Sequence, residues 1–383
     1  MSRSARTGLA ELPLHGGRAP PWLFSRMVLL AREILGHLVA EHGSDEVLRR
    51  LADPFWFQAF GCVLGFDWHS SGVTTTTCGA VKEAVRGREA DFGFHVAGGK
   101  GGTSRKAPAE ITATCEGQSK DPNQLVRASK LAAKVDNTAL QDGYQLYHHC
   151  FLFTPAGNWC VVQQGMSATT PTARRYHWLS ESLGSFVEEP HAAICCDQHG
   201  ASLNMVATES AASRDAVTEL SAQPPETMLS LFERVPTLFM PKRHPVLMED
   251  VDPRRLHKVL LKTYERPPQD FEGLLGTAGL GPKTMRALAL TAELIYGART
   301  SARDPARFSF AHGGKDGTPF PVDRVTYDQT IEVLHKALRR AKIDRSERVR
   351  ALKRLAAFAK EPATPAKASG RTGAGAQSNY TPW

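Results

Sequence analysis

The chain has 383 residues, of which 42% are hydrophobic and 22% charged, and its formal net charge is +8. This length is sufficient for two domains with sizeable cores, and the composition is ordinary for a globular protein. No apolar run approaches the roughly 18–20 residues that span a bilayer, and no secretory signal follows the N-terminus. We therefore expect a cytoplasmic protein without membrane contact.

The seven cysteines are scattered along the chain and form no C-x-x-C pair. An odd, scattered set argues against a disulfide framework and against a structural zinc site. We expect small, buried side chains in a reduced protein.

Helix is predicted first, over residues 22–51, because apolar residues recur there at three- and four-residue spacing, with a break at Gly43. The aromatic cluster Phe55–Phe60 follows and is predicted to be core. From residue 61 to 207, short β-branched and aromatic runs dominate. They predict strands at Val73–Thr77, Phe151–Phe153 and Trp159–Val162.

A hairpin turn is predicted at Pro155–Asn158, and helices are predicted at residues 77–86 and 126–136. Residues 1–207 are therefore predicted to form a mixed α/β domain with a mostly antiparallel sheet. Residues 208–230 are predicted to be a linker or an irregular excursion.

Helical patterns dominate the rest, so residues 231–360 are predicted to form an all-helical domain and the whole chain an α+β fold. The predicted helices are 253–264, 271–276, 282–296, 328–341 and 346–360. Residues 361–383 are rich in Ala, Pro, Gly, Ser and Thr, which predicts a disordered tail.

Positive charge is concentrated in the helical region. Residues 1–240 hold 21 Lys+Arg and 24 Asp+Glu, whereas residues 241–360 hold 24 Lys+Arg and 14 Asp+Glu. A basic domain beside a slightly acidic one favours a polyanion as partner, although solvated helix faces also produce such a bias.

The most specific local motif runs from Leu274 to Leu290, where a glycine pair separates two apolar helices. Glycines permit a tight hairpin, and Pro282 suits the first position of a helix. The N–H groups of that first turn are expected to point outward and to bind a DNA phosphate, beside a lysine. The predicted DNA contacts are Gly279, Gly281, Lys283, Thr284 and Arg286. The alternative is an ordinary helix–helix corner with a glycine cap.

This stretch resembles the helix-hairpin-helix element of DNA repair glycosylases. The resemblance implies that Lys283 displaces the base as a nucleophile of lowered pKa, and that Asp323, in Pro319–Asp323, assists as a carboxylate. The simpler interpretations are a phosphate contact for Lys283 and a helix cap or ion pair for Asp323.

A second group of polar residues lies within apolar segments of the N-terminal domain. Acids beside a strand, with Gln or His on the next strand, are typical of a divalent-metal site for phosphodiester hydrolysis with Mg²⁺ or Mn²⁺. The predicted metal ligands are Asp136, Asp142 and Gln164, with His149 or His177 as the proton-transfer group. As an alternative, Arg174 and Arg175 are predicted to clamp a phosphate. A structural, hydrogen-bonded role for these histidines is the alternative. No other cofactor is expected.

Four segments carry a wider resemblance: Leu12–Gly17, Gly65–Gly72, Gln141–His149 and Ala173–Trp178. On these the chain resembles an uncharacterised bacterial and archaeal family, the domain-of-unknown-function family seven-six-three. The resemblance covers nearly all of residues 7–345 and implies no known activity.

Three hypotheses follow from the sequence. The first is a repair-type DNA-processing enzyme, either a glycosylase/lyase or a metal-dependent nuclease, that grips duplex backbone through the hairpin. The second is a non-catalytic DNA-binding adaptor whose N-terminal domain recognises a protein or a ligand. The third is an enzyme that acts on a small substrate independently of DNA.

Overall fold

The computed structural model describes residues 19–65, 72–116, 122–167, 172–196, 200–234, 253–306 and 324–360. The predicted tail 361–383 and Asp323 lie outside these ranges. The helices are α1 Pro21–His42, α2 Ser44–Ala52, α3 Pro54–Leu64, α4 Gly72–Val85, α5 Glu89–Phe92, α6 Ala107–Cys115, α7 Asn123–Lys134, α8 Ala211–Ser221, α9 Pro225–Arg234, α10 Pro253–Glu265, α11 Phe271–Gly276, α12 Pro282–Tyr296, α13 Arg324–Arg340 and α14 Arg345–Lys360. The strands are β1 His95–Lys100, β2 Leu140–Gln141, β3 Tyr144–Phe153, β4 Trp159–Ser167, β5 Ala173–Leu179, β6 Ala193–Cys195 and β7 Leu203–Asn204.

The sheet is antiparallel throughout its described strands, in the order β1-β3-β4-β5-β6, and β2 pairs separately with β7. The predicted mixed α/β fold with a mostly antiparallel sheet and a helical C-terminal region is therefore confirmed. The turn between β3 and β4 falls at the predicted place and is closed by the Gly157 N–H, which donates to the Thr154 carbonyl at 2.9 Å.

Helices cover both faces of the sheet and bury a separate hydrophobic cluster on each. On one face, which we call face A, Phe151 and Trp178 pack with residues of α6–α8 and α10–α12. On the opposite face B, Leu152 and Val162 pack with residues of α1–α4, α13 and α14. Each cluster combines residues from before and after the predicted linker at 208–230, because α10–α12 pack on face A and α13 and α14 pack on face B.

Two secondary-structure predictions were wrong. The Val73–Thr77 run forms the first turns of α4 and not a strand, because Val73, Thr77 and Val81 are buried at helical spacing. That tertiary burial outweighs the weak strand preference of β-branched residues. The predicted linker contains α8, whose Val217 and Leu220 are buried in the face A cluster.

Helix α3 was not predicted, although a local signal marks its start. The Asp53 carboxylate accepts hydrogen bonds from the Phe55 and Trp56 N–H groups, with Pro54 at the first position of α3. All seven cysteines are buried, as predicted, and none of them forms a disulfide. No helix in the described part of the chain is long and apolar enough to cross a membrane.

Candidate functional site

Polar side chains of the sheet divide between its two faces. Successive residues of a strand point to opposite faces, so neighbours in sequence are separated by the thickness of the sheet. Gln163 and Trp178 therefore lie on face A, whereas Gln164 and His177 lie on face B. The polar cluster predicted from sequence is therefore divided between the two faces of the sheet.

Asp136 is the centre of the face A group. It lies in a single π-helical turn, Val135–Ala139, that continues from α7, and such turns are frequent at functional sites. Its Oδ2 accepts hydrogen bonds from Trp178 Nε1 at 2.9 Å and from Gln163 Nε2 at 2.5 Å. Its Oδ1 lies 2.5 Å from His191 Nε2. The carboxylate is fully buried, so these bonds replace its hydration.

The hydrogen bonds continue from Gln163 deeper into the protein. Gln163 Oε1 lies 2.6 Å from His149 Nδ1, and His149 Nε2 lies 2.9 Å from Ser129 Oγ. Burial lowers the pKa of His149, which favours the neutral ring. We call the connected set Ser129, His149, Gln163, Asp136, Trp178 and His191 the Asp136 network. It ends at His191, whose side chain is 7% exposed.

Asp142 belongs to a different hydrogen-bonded group on the same face. Its Oδ2 accepts from Arg174 Nη1 at 2.9 Å and from the Tyr176 hydroxyl at 2.8 Å. Arg174 also binds Asp304 through two bonds of 2.8 and 2.9 Å. Burial raises the pKa of Asp142, and Arg174 partly offsets the shift. Arg174 is thus buried between two carboxylates, a geometry that differs from the predicted phosphate clamp.

The predicted Mg²⁺ or Mn²⁺ ligand set does not fit this arrangement. Gln164 is on face B, where its Nε2 lies 2.5 Å from the Tyr147 hydroxyl, and its neighbour Gln163 occupies the position beside Asp136. Asp136 and Asp142 already accept hydrogen bonds from protein groups. Within the described ranges, no group of three or more His, Cys, Asp or Glu residues is placed to hold a metal ion.

His177 and Arg175 are paired with each other on face B. Arg175 Nε donates to His177 Nε2 at 2.8 Å, and His177 Nδ1 lies 3.1 Å from the Leu51 carbonyl oxygen. Burial lowers the pKa of His177 well below its usual value. His177 therefore lies across the sheet from Asp136, away from the acids that it was predicted to assist.

The glycine hairpin has the predicted local geometry. Gly279 has φ +97°, a conformation that L side chains rarely adopt, and α12 begins with Pro282 at its first position. The hairpin is attached to the sheet domain, because the Lys134 ammonium donates to the Leu280 carbonyl and Gln141 Nε2 donates to the Pro282 carbonyl at 2.8 Å.

The predicted DNA contacts on the hairpin differ in accessibility. Lys283 is exposed, whereas Thr284 is 9% exposed and Arg286 donates to Gln141 Oε1 at 2.9 Å. The exposure of Lys283 does not match the burial that a nucleophilic lysine of lowered pKa requires. Its proposed partner Asp323 lies outside the described residues.

The positive charge is not confined to the hairpin region. Residues 253–306 hold nine Lys+Arg and five Asp+Glu, whereas residues 324–360 hold eleven and four. The latter residues form α13 and α14, which pack with α1 and α3 on face B. Most of the described basic excess is therefore carried by helices on the other side of the sheet from the hairpin.

Sequence reasoning missed the partners that complete these groups. Gln163, Trp178 and His191 surround Asp136, and Asp304 reaches Arg174 from 130 residues away. The alternation of β4 and β5 was the available signal, since it separates Gln163 from Gln164 and Tyr176 from His177. Nothing local in the sequence indicates Asp304.

The chain belongs to the family described as Protein of unknown function (DUF763), whose model matches residues 8–322. The match covers both the Asp136 network and the glycine hairpin. Searches of curated proteins and of solved structures found no match.

Proposed function

We propose that this DUF763 protein is a DNA-binding protein of the DNA-processing type, which grips duplex backbone through the hairpin between α11 and α12. One observation carries the proposal: α12 begins shortly after Gly279, which has a left-handed backbone conformation, and its first turn contains the exposed Lys283. A helix N-terminus attracts phosphate through its N–H groups and its dipole. Such contacts do not depend on base sequence.

The orientation of the hairpin loop supports this role. Three of its carbonyl groups accept hydrogen bonds from the body of the protein: Ala278 from Lys262 at 3.0 Å, Pro282 from Gln141 at 2.8 Å, and Leu280 from Lys134. The acceptor side of the loop is thus bound to the protein. An element held in this way presents its phosphate-binding turn at fixed geometry, which lowers the entropy cost of binding.

For the processing chemistry, the Asp136 network is the better-formed candidate. The His191 imidazole lies at the edge of this network, nearly buried, and is paired with the Asp136 carboxylate. A carboxylate partner of this kind orients a histidine for proton transfer. Lys283 is assigned to phosphate contact because it is exposed.

The alternative is a non-catalytic DNA-binding adaptor, and one observation favours it. Both Asp136 and Asp142 are buried and hydrogen-bonded to protein donors, as structural carboxylates are. An adaptor would bind DNA in a salt-dependent manner and would cleave none of the substrates below.

DNA binding is tested by fluorescence anisotropy with a labelled duplex over a series of salt concentrations. Lys283→Ala should weaken binding equally for unrelated duplex sequences and reduce the slope of log K against log salt by about one unit. Lys353→Ala is the matched control, because it removes one exposed charge from α14. Equal losses in both variants would argue against the hairpin, and no binding of the wild-type protein at low salt would refute the proposal.

Catalysis is tested with duplex, single-stranded, uracil-containing and abasic DNA in EDTA, Mg²⁺, Mn²⁺ or borohydride. Cleavage that is lost in Asp136→Asn but retained in Lys283→Ala would assign the reaction to the Asp136 network. A borohydride-trapped adduct that is lost in Lys283→Ala would instead establish the glycosylase/lyase mechanism. DNA binding without cleavage in every condition would leave the adaptor.

A further inference from the structure

A polar row crosses face B, on the side of the sheet opposite the Asp136 network. The strand registers place Lys100 beside His148, His148 beside Gln164, and Gln164 beside Arg175. Residues paired across antiparallel strands point to the same face, with Cβ atoms roughly 4.5–5.5 Å apart. We call these four residues the Lys100 row. It forms one line of hydrogen-bonding groups with a cation at each end.

His148 is the member of the row that the fold does not explain. It is 1% exposed, and neither of its ring nitrogens has a hydrogen-bond partner. A buried polar group left in this way costs roughly 1–3 kcal/mol, so such groups in native proteins call for an explanation such as a ligand. Desolvation lowers the pKa of His148 to about 3, so the ring is neutral and keeps one donor and one acceptor nitrogen.

The inner end of the row carries a buried positive charge, the Arg175 guanidinium, which is held in place by its neighbours. Arg175 is 1% exposed, its Nη1 donates to Gln58 Oε1 at 3.2 Å and to Thr74 Oγ1 at 3.5 Å, and its guanidinium lies 4.6 Å from the centre of the Phe57 ring. These three neighbours are neutral. Thr74 lies in the first turn of α4, whose N-terminal end carries partial positive charge.

The outer end of the row is accessible. Lys100 is exposed, and a Cβ added to Gly101 or Gly102 would meet nothing within 4 Å. Met166, the next β4 residue that points to face B, is 46% exposed. The row therefore lies at the solvent-facing end of the sheet, where β1 runs into the 3₁₀ turn Gly101–Lys106 through the glycine-rich residues 98–102.

We propose that the Lys100 row is a binding site for a phosphoryl group, with Lys100 at its entrance and His148 as a hydrogen-bond donor within it. A tetrahedral phosphoryl anion matches the combination of a lysine ammonium and an imidazole N–H, and the buried Arg175 guanidinium adds positive charge at the inner end of the row. The site is separate from the hairpin and does not depend on DNA binding there. Its ligand is a nucleotide phosphate or a phosphate of a nucleic acid, which share this chemistry.

The test follows the His148 ring by NMR in histidine-labelled full-length protein during titration with inorganic phosphate, with acetate at the same ionic strength as control. The His148 signal is identified by its loss in His148→Gln. We expect a saturable shift with phosphate and a smaller effect with acetate. In Lys100→Ala the dissociation constant should rise about tenfold, which corresponds to 1.4 kcal/mol.

Lys106→Ala is the matched control, since it removes an exposed lysine from the adjoining 3₁₀ turn, Gly101–Lys106. Unchanged affinity in this control supports the row. A His148 signal that does not respond to phosphate overturns the proposal, and so does an equal response in wild type and Lys100→Ala. Because the probe is inorganic phosphate, either result is independent of whether Lys283 contacts DNA.

Two further ligands distinguish the source of the phosphate. An oligonucleotide with a 5′-phosphate is compared with the same strand lacking it, each titrated against the His148 signal. A shift with only the phosphorylated strand assigns a terminal phosphate, and equal shifts assign the phosphodiester backbone. A shift with neither, in a protein that binds inorganic phosphate, assigns a small nucleotide or free phosphate.

Discussion

Removal of the Asp136 carboxylate should destabilise the protein strongly, and by an amount that the geometry predicts. In the wild-type protein, Asp136 Oδ2 lies 2.9 Å from Trp178 Nε1 and 2.5 Å from Gln163 Nε2. Asp136→Ala removes this common acceptor from both N–H donors. A buried donor left unsatisfied costs about 1–3 kcal/mol. The two donors together therefore predict a loss of about 2–6 kcal/mol in the free energy of unfolding.

Asp136→Asn separates the hydrogen bonds from the charge. The amide oxygen can take the position of Oδ2 and accept from both donors, while the amide nitrogen faces His191 Nε2, which must then accept. Only the charge assistance of these bonds is lost, so we expect a cost of about 1–2 kcal/mol. The ratio of the two losses is a sharper prediction than either value.

The assay is urea unfolding followed by tryptophan fluorescence, with the shift in midpoint converted at constant m-value. Asp215→Asn on α8 is the control, because Asp215 is exposed and its replacement should change stability by less than about 0.5 kcal/mol. Equal losses in the Ala and Asn variants would refute the hydrogen-bond argument, as would a loss below about 1 kcal/mol in Asp136→Ala.

Three other predictions concern the Arg174–Asp304 ion pair, the His148 ring and Gly98. Asp304→Asn leaves the buried Arg174 with Asp142 as its one carboxylate and weakens the bonds to residue 304, so the free energy of unfolding should fall by about 1.5–3 kcal/mol. Hydrogen exchange near residues 300–306 should accelerate, and unchanged exchange would contradict the pairing. Burial lowers the pKa of His148 to about 3 in the folded protein, whereas the unfolded chain binds this proton as the pH falls below 6.5. The free energy of unfolding should therefore decrease towards acid pH by up to about 1.4 kcal/mol per pH unit from this group. Unfolding midpoints measured at several pH values should depend less steeply on pH in His148→Gln. Gly98→Ala should prevent folding, because its Cβ would lie 2.2 Å from a carbonyl oxygen of β3, whereas Gly102→Ala should be tolerated; circular dichroism and expression of the two variants compare them directly.

The glycine hairpin shows how far a local motif can be interpreted. Its helices, its turn and its proline position were all predictable, because each depends on backbone conformations that a few adjacent residues permit. Which side of the loop faces the protein was not predictable. That orientation depends on Lys134 and Gln141, which approach from α7 and β2.

The sequence by itself determined the class of fold, the approximate bounds of α1, α2, α7 and α10–α14, and the turn between β3 and β4. These depend on apolar periodicity, helix caps and turn residues, which act over one or two turns of chain. The Thr-rich start of α4 and the helix α8 were missed because burial against distant elements decided them. Only the tertiary structure decided which polar residues meet, since the strand register assigns each side chain to a face and a one-residue difference moves it across the sheet.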